Sequence, residues 1–364
     1  MNRRIRVGVI GAGGNTRTKH IPGFQAIPGV EVVAVCNRSR ISAQRVASEF
    51  GIKHVAGNAQ EIIESPDIDA VCIGTWPNLH AELSIAALRA GKHVLTEARM
   101  ARDLAEAQAM LEAAQQHPQL VAQIVPSPLS LAFDATVTDL LASGALGELR
   151  EIHLTCTNAA AAQAETPMNF RFDHEFSGKN CMFMGIYYEI ALRWLGRQPD
   201  WVQAEAAIYT KERRDEFGGM KPVLVPESLA IAGSYGDGAR LLAHFSGVET
   251  SAPRSEIRLN GSKAGVRLDL AKQELWFSPI GGSEQLVTIA SEKRGTWRVE
   301  ADFIDSIRVG KPVTLTNFAT GVDYMRFTEA VWTSWNAARA RVALRVERRG
   351  IWSGSNLAPG RARR

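Results

Sequence analysis

The sequence has few cysteines and no long apolar run, and each absence argues against a class of protein. Four cysteines occur in 364 residues, at positions 36, 72, 156 and 181, and no two have C-x-x-C spacing. This usage argues against a disulfide framework or a zinc site, so we expect a reducing, cytoplasmic setting and no metal. The apolar segment nearest the N-terminus, Ile5–Ile10, is too short for a secretory signal or a membrane span.

The sequence also lacks a strong excess of either charge. The 42 lysines and arginines exceed the 38 acidic residues by only four, and much of this excess lies near the two ends. Because no basic stripe is interleaved with aromatic residues, we expect no nucleic-acid partner. The hydrophobic fraction of 45% and the length are those of an ordinary globular protein with two domains.

A glycine cluster between two apolar runs is the most informative pattern that is present. Ile5–Ile10 leads into Gly11-Ala12-Gly13-Gly14, and a second apolar run, Val30–Cys36, follows a segment of helix length. This order is typical of a dinucleotide-binding βαβ unit, in which glycines let the backbone approach a pyrophosphate at a helix N-terminus. The match is imperfect, because a threonine occupies the third glycine position. The predicted cofactor contacts of this loop are Gly11, Gly13, Gly14, Asn15 and Thr16.

The end of the second apolar run predicts which dinucleotide binds. An acidic residue there would bind the 2′-hydroxyl of NAD, whereas this chain has Asn37 followed by Arg38. A neutral side chain beside an arginine suits the 2′-phosphate of NADP, so NADP(H) is predicted over NAD(H). In the alternative interpretation, Arg38 is only a solvated surface charge.

Two patterns of organisation follow each other along the chain. Strands and helices alternate over residues 1–125, which predicts a Rossmann domain: an α/β fold with a doubly wound parallel sheet. Residues 126–350 predict a second α/β domain with an open, largely antiparallel sheet, and residues 351–364 a C-terminal tail. Ligands bind beyond the carboxyl ends of parallel strands, where residues 75–80 and 97–100 fall.

Further motifs are distributed along nearly the whole chain. They are His20 after the glycine cluster, Thr75-Trp76-Pro77-Asn78-Leu79-His80, Gly91-Lys92-His93-Val94-Leu95-Thr96-Glu97, Ser143-Gly144-Ala145-Leu146-Gly147-Glu148, Gly185-Ile186-Tyr187 and Ile257-Arg258-Leu259-Asn260-Gly261-Ser262. Together they resemble the glucose–fructose oxidoreductase / inositol dehydrogenase / MocA family. The resemblance implies a pyridine nucleotide, oxidation or reduction of a sugar or cyclitol carbon, and a homo-oligomer (dimer or tetramer) formed through the open sheet.

The chain departs from this family at the expected catalytic positions. The family usually has Glu-Lys-Pro after the fifth strand, with the lysine acting at the reacting hydroxyl, whereas this chain has Glu97-Ala98-Arg99. The aspartate and the histidine expected in a later helix correspond to Phe183 and Tyr187, and a further aspartate to Ile190. Glucose–fructose oxidoreductase-like members do carry Gly-Ile-Tyr there, and their tyrosine is the proton donor. The resemblance therefore implies that Tyr187 moves the proton.

The motifs and the departures from the family pattern together predict a site. The catalytic set is Tyr187 with Arg99 and Arg171, whose forked donors would orient substrate. The alternative is packing for Tyr187, a surface charge for Arg99 and a salt-bridged loop for Arg171. Lys179 is a candidate to replace the missing lysine in space. The remaining predicted cofactor contacts are Asn37, Arg38, Thr75, Trp76, Pro77, His80 and Glu97.

The predicted function is an NADP(H)-dependent oxidoreductase acting on a hydroxyl or carbonyl carbon of a sugar, cyclitol or related hydroxy compound. The missing lysine motivates two alternatives. One is a redox-neutral lyase, hydratase or hydrolase that uses bound NAD(P) transiently, and the other is a non-catalytic NADP(H)-binding sensor or regulatory protein. A net change in nicotinamide absorbance would distinguish them, because only a dehydrogenase consumes the cofactor stoichiometrically.

Overall fold

The computed structural model describes residues 4–344, and its first sheet is parallel throughout. The strands are β1 (Ile5–Ile10), β2 (Val30–Cys36), β3 (His54–Val55), β4 (Ala70–Ile73), β5 (His93–Thr96) and β6 (Ala122–Ile124), in the spatial order β3-β2-β1-β4-β5-β6. Strand β4 is buried at every position, as expected for a strand covered on both faces. The prediction of a doubly wound parallel sheet is confirmed.

Helices cover both faces of this sheet, and their ends follow local sequence signals. They are α1 (Ile21–Gln25), which continues a π-helical turn at Thr16–His20, α2 (Arg40–Phe50), α3 (Ala59–Glu64), α4 (Pro77–Arg89) and α5 (Leu104–Gln116). Ser39, Asn58 and Asp103 cap α2, α3 and α5 by accepting a backbone N–H three residues on.

The second sheet is mixed and largely antiparallel. Its strands are β7 (Leu149–Thr157), β8 (Trp201–Ala207), β11 (Ser228–Ser234), β12 (Arg240–Ser246), β13 (Arg254–Gly261), β14 (Ala264–Asp269), β15 (Glu274–Pro279), β16 (Gln285–Leu286) and β17 (Val342–Ala343). Their order is β16-β15-β14-β13-β7-β12-β11-β8-β17, and β7 pairs with β12 in parallel. A separate hairpin joins β9 (Glu212–Arg214) to β10 (Met220–Pro222). The predicted open sheet is confirmed.

The remaining helices connect the two sheets. They are α6 (Asp134–Ala142), α7 (His174–Ser177), α8 (Met184–Leu195), α9 (Val299–Val309) and α10 (Phe318–Asn336). Helices α8 and α10 pack against one face of the second sheet. The chain also returns to the first sheet just before α10, because Ile124 donates its N–H to the carbonyl of Thr316 at 2.9 Å. The tyrosine Tyr324 of α10 accepts the N–H of Met100 at 2.5 Å, beside the end of β5.

The helices and strands do not test the predicted domain boundary or the predicted tail. The domain division at residue 125 stays a prediction, and the predicted tail, residues 351–364, lies outside the described residues. Within residues 4–344, no helix combines the length and the hydropathy that a membrane span needs. The β9–β10 hairpin, β16, β17 and α7 were not predicted, because two to four residues are too few for a hydrophobic period.

Candidate active site

The loop after β1 lets a ligand approach its backbone. Gly11 has a φ of +85°, and a Cβ there would lie 2.8 Å from the carbonyl carbon of Gly74, so only glycine fits. Gly13 and Gly14 are exposed, and a Cβ on Gly14 would meet nothing within 4 Å. Exposed backbone directly before a helical turn is the arrangement that a pyrophosphate needs.

Thr16, at the third glycine position, points inward. Its side chain is buried, and its hydroxyl donates to the carbonyl of Gly11 at 3.2 Å. A Cβ on Gly74 would lie 2.0 Å from this hydroxyl oxygen, so the absence of a side chain at residue 74 makes room for the threonine. The side chain of Thr16 therefore supports the loop, and a cofactor contact through this residue stays a prediction.

The residues after β2 have two different partners. The Asn37 side-chain oxygen accepts the N–H of Ala12 at 2.7 Å and so ties the glycine loop to the end of β2. The Arg38 side chain is 73% exposed and forms an ion pair with Glu216, with 2.9 Å between Nη1 and Oε1. It also lies 6.0 Å from the ring centroid of Trp76. Because Glu216 belongs to the turn between β9 and β10, Arg38 connects this hairpin to the first sheet.

A buried ionic network connects the end of β5 to α9. Nδ1 of His20 is 2.5 Å from a carboxylate oxygen of Glu300, and Nε2 is 2.9 Å from one of Glu97. A carboxylate beside each ring nitrogen favours the doubly protonated, imidazolium form of His20. Burial alone would lower the pKa of His20, but the hydrogen bonds with Glu300 and Glu97 raise it to about 9. Trp297 donates its indole N–H to Glu300 at 2.8 Å, and Asn15 donates to Glu97.

The charge state of Glu97 follows from the same network. Burial opposes ionisation of this carboxyl group, but the hydrogen bond with His20 and the amide of Asn15 lower its pKa below the ordinary value. Glu97 is therefore a carboxylate held at the end of β5, where the sequence placed a cofactor contact. Glu300 was not predicted, because it is 280 positions from His20 and belongs to no local motif.

The loop after β4 forms an aromatic surface. Trp76 is 39% exposed and stacks on Phe170, with 5.3 Å between ring centroids and 12° between the planes. Phe176 contacts the same indole edge-on at 4.9 Å. Thr75 precedes the tryptophan, and Pro77 begins α4, where its missing N–H costs nothing. The loop thus presents a flat apolar surface beside Arg38 and the segment around Phe170.

The ring of His80 joins two loops of the first domain. Its ring is fully buried, with Nδ1 at 2.8 Å from the carbonyl oxygen of Arg99 and Nε2 at 3.0 Å from that of Thr75. Burial lowers its pKa below the ordinary value. Both ring nitrogens face backbone carbonyls, and the predicted cofactor contact of His80 stays a prediction. His80 fixes the loop after β5 against the loop after β4.

The structure brings Arg99 and Arg171 together. The Arg99 side chain is 4% exposed, and among residues 4–344 its buried Nε has no hydrogen-bond partner. Burial, and then the charge of Arg171, lowers the pKa of Arg99 to about 10. Gly185 leaves the space that the arginine occupies, since a Cβ there would lie 2.9 Å from Cδ of Arg99. Arg171 itself is exposed, and its guanidinium carbon lies 4.3 Å from the ring centroid of Phe170.

Tyr187 points away from this pair. Its hydroxyl is 2.6 Å from Oγ of Ser255 in β13, and its ring packs edge-on against Phe245 in β12. Gly185 and Tyr187 are two positions apart, which is about 200° around a helix, so they face opposite sides of α8. Burial raises the pKa of Tyr187 above its ordinary value. The structure therefore does not bring Tyr187 to the two arginines.

Lys179, the candidate to replace the missing lysine, has a structural partner, and so does Glu189 on α8. Lys179 forms an ion pair with Glu329 of α10. Glu189 accepts the N–H of Ser127 at 2.8 Å and pairs with Arg193 at 2.6 Å. Both side chains are thus engaged in ion pairs, and a catalytic role for Lys179 stays a prediction.

Comparison with known proteins identifies the family. Residues 5–124 match the model described as "Oxidoreductase family, NAD-binding Rossmann fold", and residues 135–267 match the GFO/IDH/MocA C-terminal domain. The chain belongs to the GFO/IDH/MocA family of oxidoreductases. The resemblance read from the sequence motifs is confirmed, and with it the prediction of an oxidoreductase.

Individual GFO/IDH/MocA members are similar over most of their length. The chain is 32% identical to a dTDP-3,4-didehydro-2,6-dideoxy-alpha-D-glucose 3-reductase from Streptomyces antibioticus, over 74% of this chain and 76% of that protein. An oxidoreductase domain protein from Kribbella flavida has the same fold, with a TM-score of 0.85 at 21% identity over 95% of this chain and 100% of the other. The structure of levoglucosan dehydrogenase in complex with NADH and L-sorbose matches with a TM-score of 0.84 at 21% identity, over 94% of this chain and 99% of the other.

Proposed function

We propose that this protein is an NADP(H)-dependent oxidoreductase that acts on a hydroxyl or carbonyl carbon of a sugar, cyclitol or related hydroxy compound. One observation carries the proposal: an open glycine loop after β1 adjoins a carboxylate fixed at the end of β5. The names of two similar proteins, a dTDP-sugar reductase and a levoglucosan dehydrogenase, support a sugar-like substrate.

The residues of the site fit a nicotinamide dinucleotide. The exposed backbone at Gly13 and Gly14 suits the pyrophosphate, and the exposed guanidinium of Arg38 suits a phosphate on the adenosine ribose. Glu97 follows β5 and lies two residues before Arg99, so it would contact the nicotinamide half of the cofactor, next to the substrate. When bound, such a cofactor supplies the carbon that accepts or donates a hydride.

The preference for NADP(H) rests on the side chains after β2. Asn37 is neutral and its side-chain oxygen already accepts the N–H of Ala12, so the residue that ends β2 supplies no carboxylate for a ribose 2′-hydroxyl. The ion pair of Arg38 with Glu216 joins two exposed side chains and is worth at most about 1 kcal/mol. A phosphate dianion can therefore displace Glu216 from Arg38.

Nucleotide titration tests this proposal. Binding of NADPH and NADH is followed by fluorescence for the intact protein, for Arg38→Ala and for the control Arg45→Ala, an exposed arginine on α2. The expected result is a preference for NADPH that Arg38→Ala abolishes and the control keeps. Absorbance assays with polyols and keto-sugars then test turnover. Failure to bind either nucleotide would refute the proposal.

The assignment of the proton-transfer step remains a prediction. Arg99 and Arg171 would orient the substrate, and Tyr187 would move the proton. Its hydroxyl now contacts Ser255, so the role requires α8 or the tyrosine side chain to rearrange when substrate binds. The effect of Tyr187→Phe on turnover decides this point.

We further propose a cytoplasmic homo-oligomer, a dimer or tetramer, formed through the open face of the second sheet. The face opposite α8 and α10 carries Leu242, which is 36% exposed, in a hollow of about 460 Å³. Gln203 and His244 also line it. Light scattering of the intact protein and of Leu242→Glu tests the assembly, and the variant is expected to dissociate. The four unpaired cysteines support a reducing compartment.

A further inference from the structure

We propose that the substrate carries an anionic group, a carboxylate or a phosphate, and that Arg99 and Arg171 bind it. The inference rests on the proposed function, since it names the substrate class of the same site. It is carried by an unusual charge arrangement: within residues 4–344, neither the buried guanidinium of Arg99 nor the neighbouring guanidinium of Arg171 forms an ion pair with an acid.

The charge of Arg99 is buried. Within residues 4–344, no aspartate or glutamate forms an ion pair with this side chain, although 96% of its surface is covered. Buried charges in proteins are normally paired or bind a ligand, because removing an ion from water costs several kcal/mol. A pKa of about 10 keeps the group charged at neutral pH. The cost is therefore present whenever the site is empty.

The groups around Arg99 do not supply the missing negative charge. Cys181 and Tyr324 are the ionisable neighbours besides Arg171. Burial raises the pKa of Cys181 to about 12 and that of Tyr324 above its ordinary value, so both stay neutral. Arg171 adds a second positive charge instead. The local excess is uncompensated.

The acids nearest in sequence to Arg171 are occupied elsewhere. Asp173 and Glu175 both form ion pairs with Lys221 of β10, the second at 3.1 Å. Asp173 also caps α7 by accepting the N–H of Glu175. The loop thus contains carboxylates, but it directs them to another cation and leaves Arg171 free for an external anion.

Both guanidinium groups are held in position for this role. His80 fixes the backbone of Arg99, and Gly185 provides the space for its side chain. Arg171 lies over the ring of Phe170 at 4.3 Å and near that of Phe183 at 5.7 Å, contacts that restrict an otherwise mobile side chain. Two preorganised forks of N–H donors match the oxygens of a carboxylate or phosphate.

Calorimetric binding tests the proposal on the full chain, with and without NADPH. The probes are D-glucuronate, glucose 6-phosphate, inorganic phosphate and, as the neutral partner, methyl α-D-glucoside. The expected result is that at least one anionic probe binds about tenfold more tightly than the neutral sugar, and more weakly at high salt. Comparison of glucuronate with the two phosphates identifies the anion. Equal affinity for charged and neutral probes would overturn the proposal.

Variants test whether these two arginines, and not the overall charge of the protein, bind the anion. Arg171→Gln and Arg99→Gln are expected to lower the affinity for the anionic probe about tenfold or more. Arg89→Gln, which replaces an exposed arginine on α4, should leave that affinity unchanged. Affinity for NADPH should stay the same in all three. Loss of NADPH affinity in the site variants would overturn the proposal, because the arginines would then hold the cofactor. If the protein binds the anion but neither nucleotide, the proposed function fails while this inference stands.

Discussion

Replacement of His20 by glutamine is predicted to remove a pH-dependent part of the free energy of unfolding. The imidazolium of His20 is fully buried between the carboxylates of Glu97 and Glu300. A proton bound more tightly in the folded state than in the unfolded chain stabilises the fold. Glutamine is of similar size but carries no titrating proton, so the variant isolates this contribution.

The magnitude follows from the difference between two pKa values. The pKa of His20 is about 9 in the folded protein, against about 6.5 for an unperturbed histidine. Such a rise corresponds to about 3 kcal/mol. Because the folded pKa is the higher one, the full contribution is present below pH ~6.5 and is lost as the pH rises to about 9.

Urea unfolding between pH 6 and 9.5 measures the effect for wild type, His20→Gln and a control, His54→Gln. His54 is exposed and pairs with the exposed Glu61, so its replacement should leave the pH dependence nearly unchanged. The free energy of unfolding of wild type minus that of His20→Gln is expected to fall by about 3 kcal/mol across this range. If this difference in the free energy of unfolding stays constant with pH, His20 is not held as an imidazolium by its two carboxylates.

Three further predictions concern the site. Tyr187→Phe should reduce kcat at least about 100-fold with NADPH affinity unchanged if the tyrosine moves the proton, and unchanged kcat would leave it a packing residue. Glu216→Gln should free Arg38 and tighten NADPH binding by up to about fivefold without affecting NADH, as measured by fluorescence titration; equal changes for both nucleotides would contradict the phosphate contact. Arg99→Met should raise the free energy of unfolding of the ligand-free protein by about 1–2 kcal/mol in urea, since it removes an unpaired buried charge, whereas a loss of stability would mean that the charge is compensated.

Much of the fold could be predicted because its strands are local patterns. The bounds of β2, Val30–Cys36, were predicted to the residue, since a buried strand is a continuous apolar run that ends at polar Asn37. The helix phase was harder to predict. Whether Tyr187 or Gly185 faces the site depends on how α8 packs between Arg99 and the second sheet, and no pattern within the helix encodes that choice.

The site could be predicted in part for the same reason. The glycine loop and Glu97 belong to motifs whose spacing is visible in the chain. Glu300 and Glu216 do not, because each reaches its partner from a distant element: α9 in one case and the β9–β10 turn in the other. Only the folded structure brings these charges together, so sequence reasoning found His20 and Arg38 without their counter-ions.

The packing of α9 has a consequence for the protein as a folding unit. Phe303 contacts Phe24 of α1 with 6.2 Å between ring centroids, and Arg308 donates to the carbonyl of Pro28 at 2.7 Å. A fragment that ended at residue 125 would lose this helix, expose Phe24 and remove one of the two carboxylates of His20. The first sheet therefore packs against a helix from far along the chain: about 300 residues must be synthesised before α9, Val299–Val309, can take its place.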